Sequence, residues 1–164
     1  MIEIKGKNIN LRTMTQKEHR ALWRKFEPEN RKVRFTYNEE TVDRMFQRME
    51  ERADWNPTVG IFTKNDEVFG ELTFSNTVFS ENRCDVTFFI AVDKFRNKGF
   101  GTEALLLAKE YAKDKMGLRK MYCECSSHNR RLQAVLKKCG FNNTKTFKKE
   151  APDGGDRLVF FALL

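Results

Sequence analysis

The sequence predicts a mixed α/β fold, in which one mixed sheet carries helices on both faces. Three observations lead to this fold class: two amphipathic helices near the start, a meander of short strands in the middle, and alternating strands and helices in the second half. No internal repeat, low-complexity stretch or linker is found, and 164 residues suit one domain with a sizeable core. We therefore expect a single domain over 1–164 with the element order β-α-α-β-β-β-α-β-α-β-β.

Helix caps and apolar spacing predict the first two helices. Thr15 and Glu18 have the spacing of a capping box, and Leu22 and Phe26 share one face behind it. The polar and basic stretch EPENRKVRFT then predicts a loop. Apolar residues at i, i+3, i+4 and i+7 predict the second helix; they are Val42, Met45, Phe46 and Met49.

The middle of the chain has the period of strands. The stretch TVGIFTKNDEVFGELTFSN contains two strand-like runs around a turn at residues 64–67, which predicts a hairpin. The following run, CDVTFFIAV, is apolar on both faces. Because a strand with two apolar faces is buried on both sides, we expect it at the centre of the sheet.

Strands and helices alternate after residue 100. TEALLLAKEYAKDKMG predicts a helix that stops at Gly117, and KMYCECSS predicts a strand. HNRRLQAVLKKCGF predicts a helix with Asn129 as N-cap and Gly140 at its end; its expected buried face consists of Leu132, Val135, Leu136 and Cys139. TKTFKKE and RLVFFALL predict two last strands, joined by the turn-rich APDGGD.

Charge and cysteine content limit the function classes. The net charge of +8 favours an anionic ligand, but the basic residues are spread along the chain, and no zinc finger or RNA-binding aromatic signature is found. Two of the four cysteines form the motif CEC, which is the wrong spacing for a zinc knuckle. We expect reduced, buried cysteines and no metal. No membrane span or secretory signal is found, so a cytoplasmic protein without membrane partners is expected.

The stretch VDKFRNKGFGTEA has the features of a phosphate-binding loop. It joins the central strand to a helix, so its residues cover a helix N-terminus with free N–H groups. Gly99 and Gly101 allow a close approach of the backbone, Arg96 and Lys98 add positive charge, and Thr102 offers a hydroxyl. The Walker and Rossmann patterns are both absent. The alternative is a plain glycine-containing connection with incidental cations.

The motifs of the second half, in their order, resemble the GNAT superfamily of N-acetyltransferases. The resemblance covers about residues 84–141 and rests on Arg-x-x-Gly-x-Gly between strand and helix, then a strand, an asparagine and a helix that ends in GF. The stretches FRNKGFGTEAL, GKNINLRTMTQKE and DGGDRLVFFALL are similar to the branch with ribosomal-protein N-terminal and spermidine acetyltransferases. This resemblance implies a single acetyltransferase domain. Its sheet would be twisted and mostly antiparallel, with about six or seven strands and a splayed central strand pair.

The resemblance also implies acetyl-CoA as the cofactor and a set of residues that bind it. The pantetheine arm would pair with the main chain of Ile90, Ala91 and Val92, and Asn129 would contact the arm. A backbone N–H of the central strand would polarise the thioester carbonyl. The pyrophosphate would lie on the backbone amides of Arg96, Asn97, Lys98, Gly99, Phe100, Gly101 and Thr102.

The catalytic residues are less defined by the sequence. An amine must lose a proton before it attacks the thioester, and the candidates for the base are Asp85 and Glu71, although both also fit as exposed strand carboxylates. Many relatives have a tyrosine seven residues after the asparagine, where it protonates the leaving thiolate; here that residue is Leu136. Ser126, Ser127 or a water molecule are the alternatives for protonating the thiolate in place of this tyrosine.

The sequence leaves the acceptor and the assembly open. Candidates for the acceptor site are Trp23, Arg34, Phe35 and Tyr37, with core or surface roles as the alternative. The favoured function is transfer of acetyl from acetyl-CoA to a primary amine, either a protein N-terminus or a small molecule. A non-catalytic acyl-CoA-binding or sensing module is the alternative, and a nucleic-acid-binding domain rests on charge alone. Members of the similar branch are often dimers, so a homodimer is one expectation.

Overall fold

The computed structural model describes residues 1–164. The strands are β1 (Glu3–Lys5), β2 (Ile9–Arg12), β3 (Thr58–Thr63), β4 (Val68–Val78), β5 (Arg83–Ile90), β6 (Lys120–Ser126), β7 (Asn142–Phe147) and β8 (Arg157–Leu163). The helices are α1 (Gln16–Arg24), α2 (Glu39–Glu51), α3 (Phe100–Asp114) and α4 (Arg130–Lys138). All eight strands form one sheet in the order β1-β2-β3-β4-β5-β6-β8-β7.

The predicted mixed fold is confirmed, with one correction at the N-terminus. Every neighbouring strand pair is antiparallel except β5 and β6. The sheet has eight strands instead of six or seven, because the opening residues form two strands rather than one. Gly6 donates its N–H to the carbonyl of Ile9 at 2.9 Å, which closes a hairpin that pairs Ile4 with Leu11.

Local capping determines where α1 and α2 begin. The Thr15 hydroxyl accepts from the Glu18 N–H at 3.3 Å, and a Glu18 carboxylate oxygen accepts from the Thr15 N–H at 2.8 Å, as the capping-box pattern predicts. The hydrogen bond from Arg12 to Glu18 lowers the pKa of this carboxyl. At α2, the Asn38 side chain accepts from the N–H of Thr41 at 2.8 Å. Both predicted helices are confirmed.

Helices cover both faces of the sheet. On one face, α3 buries Ala104, Leu105 and Ala108 in the main core cluster, which also contains Val86 of β5. On the other face, the Trp23 ring of α1 lies 5.4 Å from the Phe89 ring of β5. Residues 86 and 89 point to opposite faces because side chains alternate along a strand. None of the helices has both the length and the apolar composition needed to cross a membrane.

The parallel pair β5 and β6 separates after three residues. Pairing joins Arg83 to Lys120, Cys84 to Met121 and Asp85 to Tyr122, and no later residue of either strand is paired with the other. Both strands continue, β5 to Ile90 and β6 to Ser126. The predicted splayed central pair is therefore confirmed, and the gap between the strands positions the candidate site.

All four cysteines are free and buried, as the sequence predicts. Burial raises the pKa of Cys84 and Cys123 to about 12 and that of Cys125 to about 11, so these thiols stay protonated near neutral pH. We expect no rapid reaction of the folded protein with a disulfide reagent at about pH 8, and four reactive thiols after denaturation. A fast-reacting thiol in the folded protein would contradict the buried placement.

Candidate active site

A cavity of about 400 Å³ lies at the gap, between β5, the β5–α3 loop and α4. Its lining includes seven of the cofactor residues proposed from the sequence, namely Ile90, Arg96, Asn97, Gly99, Gly101, Thr102 and Asn129. The other four, Ala91, Val92, Lys98 and Phe100, do not line it. The structure thus brings together residues that are up to 39 positions apart in the sequence, from Ile90 to Asn129.

The start of α3 presents free amides next to this cavity. Gly99 caps the helix with φ of 81°, a left-handed conformation that glycine adopts without strain. The first intrahelical hydrogen bond runs from the Glu103 N–H to the Gly99 carbonyl. The N–H groups of residues 100–102 therefore have no helical partner, and the positive end of the helix dipole adds to their attraction for an anion.

Gly101 allows α3 to lie close to β5. A Cβ at this position would be 3.1 Å from a ring carbon of Phe88, which also lines the cavity. A Cβ here would therefore require the Phe88 ring to shift by a few tenths of an ångström, which glycine avoids.

Arg96 has a different role from the one that its charge suggested. Its side chain is only 7 % exposed. Its Nε and Nη2 donate to the Ile90 carbonyl at 3.0 and 2.8 Å, and Nη2 also donates to the Glu27 carbonyl. No strand pairs with β5 on the side of the gap, so the Ile90 carbonyl, the last of the strand, needs a hydrogen-bond donor from elsewhere. The Arg96 guanidinium supplies that donor and is not directed at a phosphate.

Part of the main chain expected to pair with the pantetheine arm is already hydrogen-bonded within the protein. The Ile90 carbonyl is bonded to Arg96, the Ala91 N–H donates to the Phe69 carbonyl at 2.8 Å, and the Ala91 carbonyl accepts from the Glu27 N–H at 2.7 Å. The Val92 carbonyl accepts from the Phe95 N–H at 3.0 Å. Within these three residues, all three carbonyls and the Ala91 N–H therefore already have hydrogen-bond partners in the protein.

The main-chain groups of β5 that face the gap belong to Phe88 and to one of the expected residues, Ile90. Hydrogen bonding alternates along an antiparallel pair, and Ala91 is bonded toward β4. Phe88 and Ile90 therefore direct their main-chain groups toward the gap. The N–H and carbonyl of Phe88 and the N–H of Ile90 are the groups open to an extended ligand.

Asn129 is confirmed as the N-cap of α4. Its side-chain oxygen accepts from the Leu132 N–H at 3.1 Å, which leaves the amide nitrogen as a donor next to the cavity.

The sequence interpretation missed two cations of α4 that line the cavity, Arg131 and Lys138. Their spacing of seven residues places them on one face, a signal that was available in the sequence. Leu132 and Val135 are only half-buried and line the cavity, so they are not fully part of the core as predicted.

Ser126 and Ser127, the candidates to replace the missing tyrosine, do not line this cavity. Leu136, which stands at the tyrosine position, is fully buried in the core. The Ser126 hydroxyl donates to Asp153 at 2.7 Å, and the Ser127 hydroxyl accepts from the Asp156 N–H at 2.9 Å. Both hydroxyls therefore hold the β7–β8 connection.

A second cavity of about 240 Å³ lies between α2 and β4. Glu71, Thr73 and Ser75 of β4 line it on the side of the sheet. Glu71 is paired directly with Phe89 of β5, which lines the first cavity, so one strand pair separates the two cavities.

Glu71 has a carboxylate oxygen without a hydrogen-bond partner. The side chain is 12 % exposed, and its Oε2 lies 3.5 Å from Nε2 of the fully buried His19. That nitrogen already accepts from the Trp23 N–H at 3.0 Å, and an indole N–H can only donate. His19 therefore offers no proton to Glu71 from Nε2, and the carboxylate oxygen is free to accept one.

Asp85 lies at the other end of β5. It is paired with Tyr122, before the gap opens, and its Oδ2 accepts from the Asn76 amide at 2.7 Å. Phe89 is four positions further along β5, about 13 Å away. Of the two candidate bases, only Glu71 is directly opposite a residue that lines the cavity at the gap.

The four residues proposed for the acceptor site do not lie together in the structure. Trp23 and Phe35 have ring centroids 5.7 Å apart, and Trp23 packs on Phe89. Tyr37 donates to Glu39 at 3.4 Å and lies under the Arg24 guanidinium, and Arg34 is exposed. None of the four lines either cavity.

Comparisons with known proteins agree with this geometry. A family model described as an acetyltransferase (GNAT) domain matches residues 8–142. No curated protein matches the chain. Among solved structures, a GNAT-family acetyltransferase from Bacillus anthracis is 20% identical, with a TM-score of 0.82 and coverage of 99% of this chain and 98% of that one.

Two further solved structures have named acceptors. A spermidine N-acetyltransferase chimera of Vibrio cholerae SpeG and hSSAT is 14% identical, with a TM-score of 0.83 and coverage of 96% of both chains. RimL, a ribosomal L7/L12 α-N-protein acetyltransferase in complex with CoA, is 15% identical, with a TM-score of 0.85 and coverage of 99% of this chain and 98% of that one. With a family model that spans most of its length and a sheet that opens at β5 and β6, the chain belongs to the GNAT family of acetyltransferases.

Proposed function

We propose that this acetyltransferase transfers the acetyl group of acetyl-CoA to a primary amine by direct attack within a ternary complex. The observation that carries the proposal is the pair of cavities on either side of the strand pair β4 and β5: one has free helix amides, and the other is lined by Glu71, whose Oε2 has no hydrogen-bond partner. The named acceptors of the similar structures, spermidine and a ribosomal protein, support an amine as acceptor.

The residues of the first cavity fit acetyl-CoA, which supplies the thioester. The amides of residues 100–102 and the left-handed Gly99 suit its pyrophosphate. The main chain of Phe88 and the N–H of Ile90 suit the extended pantetheine arm, and the Asn129 amide is a further donor. The oxyanion donor for the thioester carbonyl would come from the same free main chain of β5.

Glu71 is the proposed general base. A protein amine with a pKa of ~8 to ~10 is mostly protonated near neutral pH, so it must lose a proton before it attacks. Glu71 can accept that proton, directly or through water, because the residue lines the cavity between α2 and β4 and its Oε2 has no hydrogen-bond partner. The leaving group is the thiolate of CoA, and thiols are far more acidic than alcohols, so it leaves without a side-chain acid, which agrees with the buried Leu136.

Arg131 and Lys138 are proposed to bind the 3′-phosphate of the cofactor, because the α3 amides already account for the pyrophosphate. We expect Lys138→Gln to weaken acetyl-CoA binding about fivefold while the affinity for the dephospho form stays the same. Lys137→Gln is the matched control, since Lys137 is exposed next to it and does not line the cavity. Titration of both ligands into the three proteins tests the assignment; an equal loss for both ligands would place Lys138 elsewhere on the cofactor.

Turnover separates this proposal from the alternatives. Steady release of CoA in the presence of a peptide N-terminus, spermidine or an amino sugar would eliminate a non-catalytic acyl-CoA-binding module. Binding of acetyl-CoA without turnover of any amine would support that module instead. A nucleic-acid-binding domain predicts steeply salt-dependent binding of DNA or RNA that CoA does not displace.

A further inference from the structure

We propose that the acceptor is an amine with a negatively charged group near its amino group, and that Arg48 and Arg52 bind this group at the entrance of the cavity between α2 and β4. This inference rests on the proposed function, because it names the substrate class of the same site. It depends on three features of the cavity: two unpaired arginines, the position of Glu71, and an apolar surface between them.

The two arginines lie together on the face of α2 that lines the cavity. They are four residues apart, so they are neighbours on the helix surface. The Arg52 Nε donates to the Arg48 carbonyl at 3.1 Å, which ties the Arg52 guanidinium back to the last turn of α2. The other guanidinium N–H groups are left as donors, and a guanidinium can bind a carboxylate with two of them.

Neither arginine has an acidic partner, in contrast to the other arginines of α1 and α2. Arg20 pairs with Asp43 at 2.6 Å, Arg24 pairs with Glu39, and Arg44 with Glu40 at 3.7 Å. No ion pair is formed by Arg48 or Arg52. The cavity therefore has two free positive charges at its entrance.

The opposite charge lies deeper in the same cavity. Glu71 is the only acidic residue that lines it, and this side chain is 12 % exposed whereas both arginines are exposed. Met45 and Met49 line the α2 side and offer an apolar surface for the carbon atoms between two polar groups. The arrangement is complementary to a molecule that carries an amino group at one end and an anion at the other.

The same arrangement disfavours a polyamine. When one amino group of a polyamine is next to Glu71, a second ammonium would face Arg48 and Arg52, and like charges repel. A peptide N-terminus followed by acidic side chains, or a free amino dicarboxylate, satisfies both ends of the cavity. These two sources share one chemistry and can be compared directly.

The test compares kcat/KM for matched acceptors. The peptide amides Ser-Glu-Glu and Ser-Gln-Gln have the same shape and differ only in charge, while spermidine and free glutamate represent a polyamine and a small acidic amine. We expect Ser-Glu-Glu to exceed Ser-Gln-Gln about tenfold, less at high salt. This ratio should fall to about one in the double variant Arg48→Gln, Arg52→Gln. It should persist in Arg44→Gln, which changes a paired arginine outside the cavity.

The possible outcomes distinguish this inference from the proposed function. A ratio of one or less in the wild-type protein, or faster turnover of spermidine than of either acidic acceptor, overturns the inference while amine acetylation stands. Turnover of glutamate but not of Ser-Glu-Glu assigns the anion site to a small molecule, and the reverse assigns it to a peptide. If no amine is acetylated, titration of Ser-Glu-Glu into the CoA-loaded protein decides: binding that needs both arginines supports the anion site, and absence of binding overturns it.

Discussion

Glu71→Gln is expected to lower kcat for amine acetylation about a hundredfold and to leave the affinity for acetyl-CoA unchanged. The substitution keeps the size of the side chain but removes the carboxylate that accepts the proton of the amine. The Glu71 side chain is 12 % exposed next to His19 and does not line the cavity at the gap, so cofactor binding has no reason to change. Steady-state rates and acetyl-CoA titrations on the same preparation measure the two effects separately.

The pH dependence gives this prediction a second readout. An amine deprotonates on its own as the pH approaches its pKa of about 10, so the deficit of Glu71→Gln should shrink as the pH rises. Asp85→Asn is the matched control, because Asp85 is bonded to Asn76 at the paired end of β5, and we expect less than about a threefold change. A large loss in Asp85→Asn together with an unaltered Glu71→Gln would assign the base to Asp85.

Gly101→Asp is expected to abolish acetyl-CoA binding in a protein that still folds. The added Cβ would lie 3.1 Å from the Phe88 ring, and the carboxylate would place a negative charge beside the free amides at the start of α3. A phosphate attracted by those amides would then be repelled. We expect the dissociation constant to rise at least about a hundredfold, which corresponds to about 2.7 kcal/mol.

Gly101→Asn separates the contribution of charge from that of size. Asparagine has nearly the volume of aspartate without its charge, so we expect a smaller loss of affinity, about tenfold. Thermal unfolding of both variants checks that α3 remains packed against β5. Unchanged acetyl-CoA affinity in a folded Gly101→Asp protein would show that the phosphates bind elsewhere.

Features with local causes were predictable from the sequence. The capping box at Thr15 and the N-cap at Asn129 each depend on residues three positions apart. The central position of β5 followed from its two apolar faces. The N-terminal hairpin was missed because β1 has only three residues, too few for the alternation of a strand to be recognised.

Features that depend on distant residues were not predictable. The charge of Arg96 suggested a phosphate ligand, but its direction is decided by the Ile90 and Glu27 carbonyls, of which the second is 69 positions away. The apolar face of α2 was recognised as one set, yet Val42 and Phe46 enter the core while Met45 and Met49 line the cavity between α2 and β4. That division depends on how α2 lies against β4, and so does the placement of Arg48 and Arg52.

Isothermal titration of the wild-type protein with acetyl-CoA is the decisive experiment for the cofactor site. We expect one molecule bound per chain with micromolar affinity, because the cavity at the gap combines free main-chain groups of β5, the amides of α3 and the cations of α4. Absence of binding heat at several temperatures, with ligand up to millimolar concentration, would contradict it. The stretch RNKGFG would then be only a connection between β5 and α3.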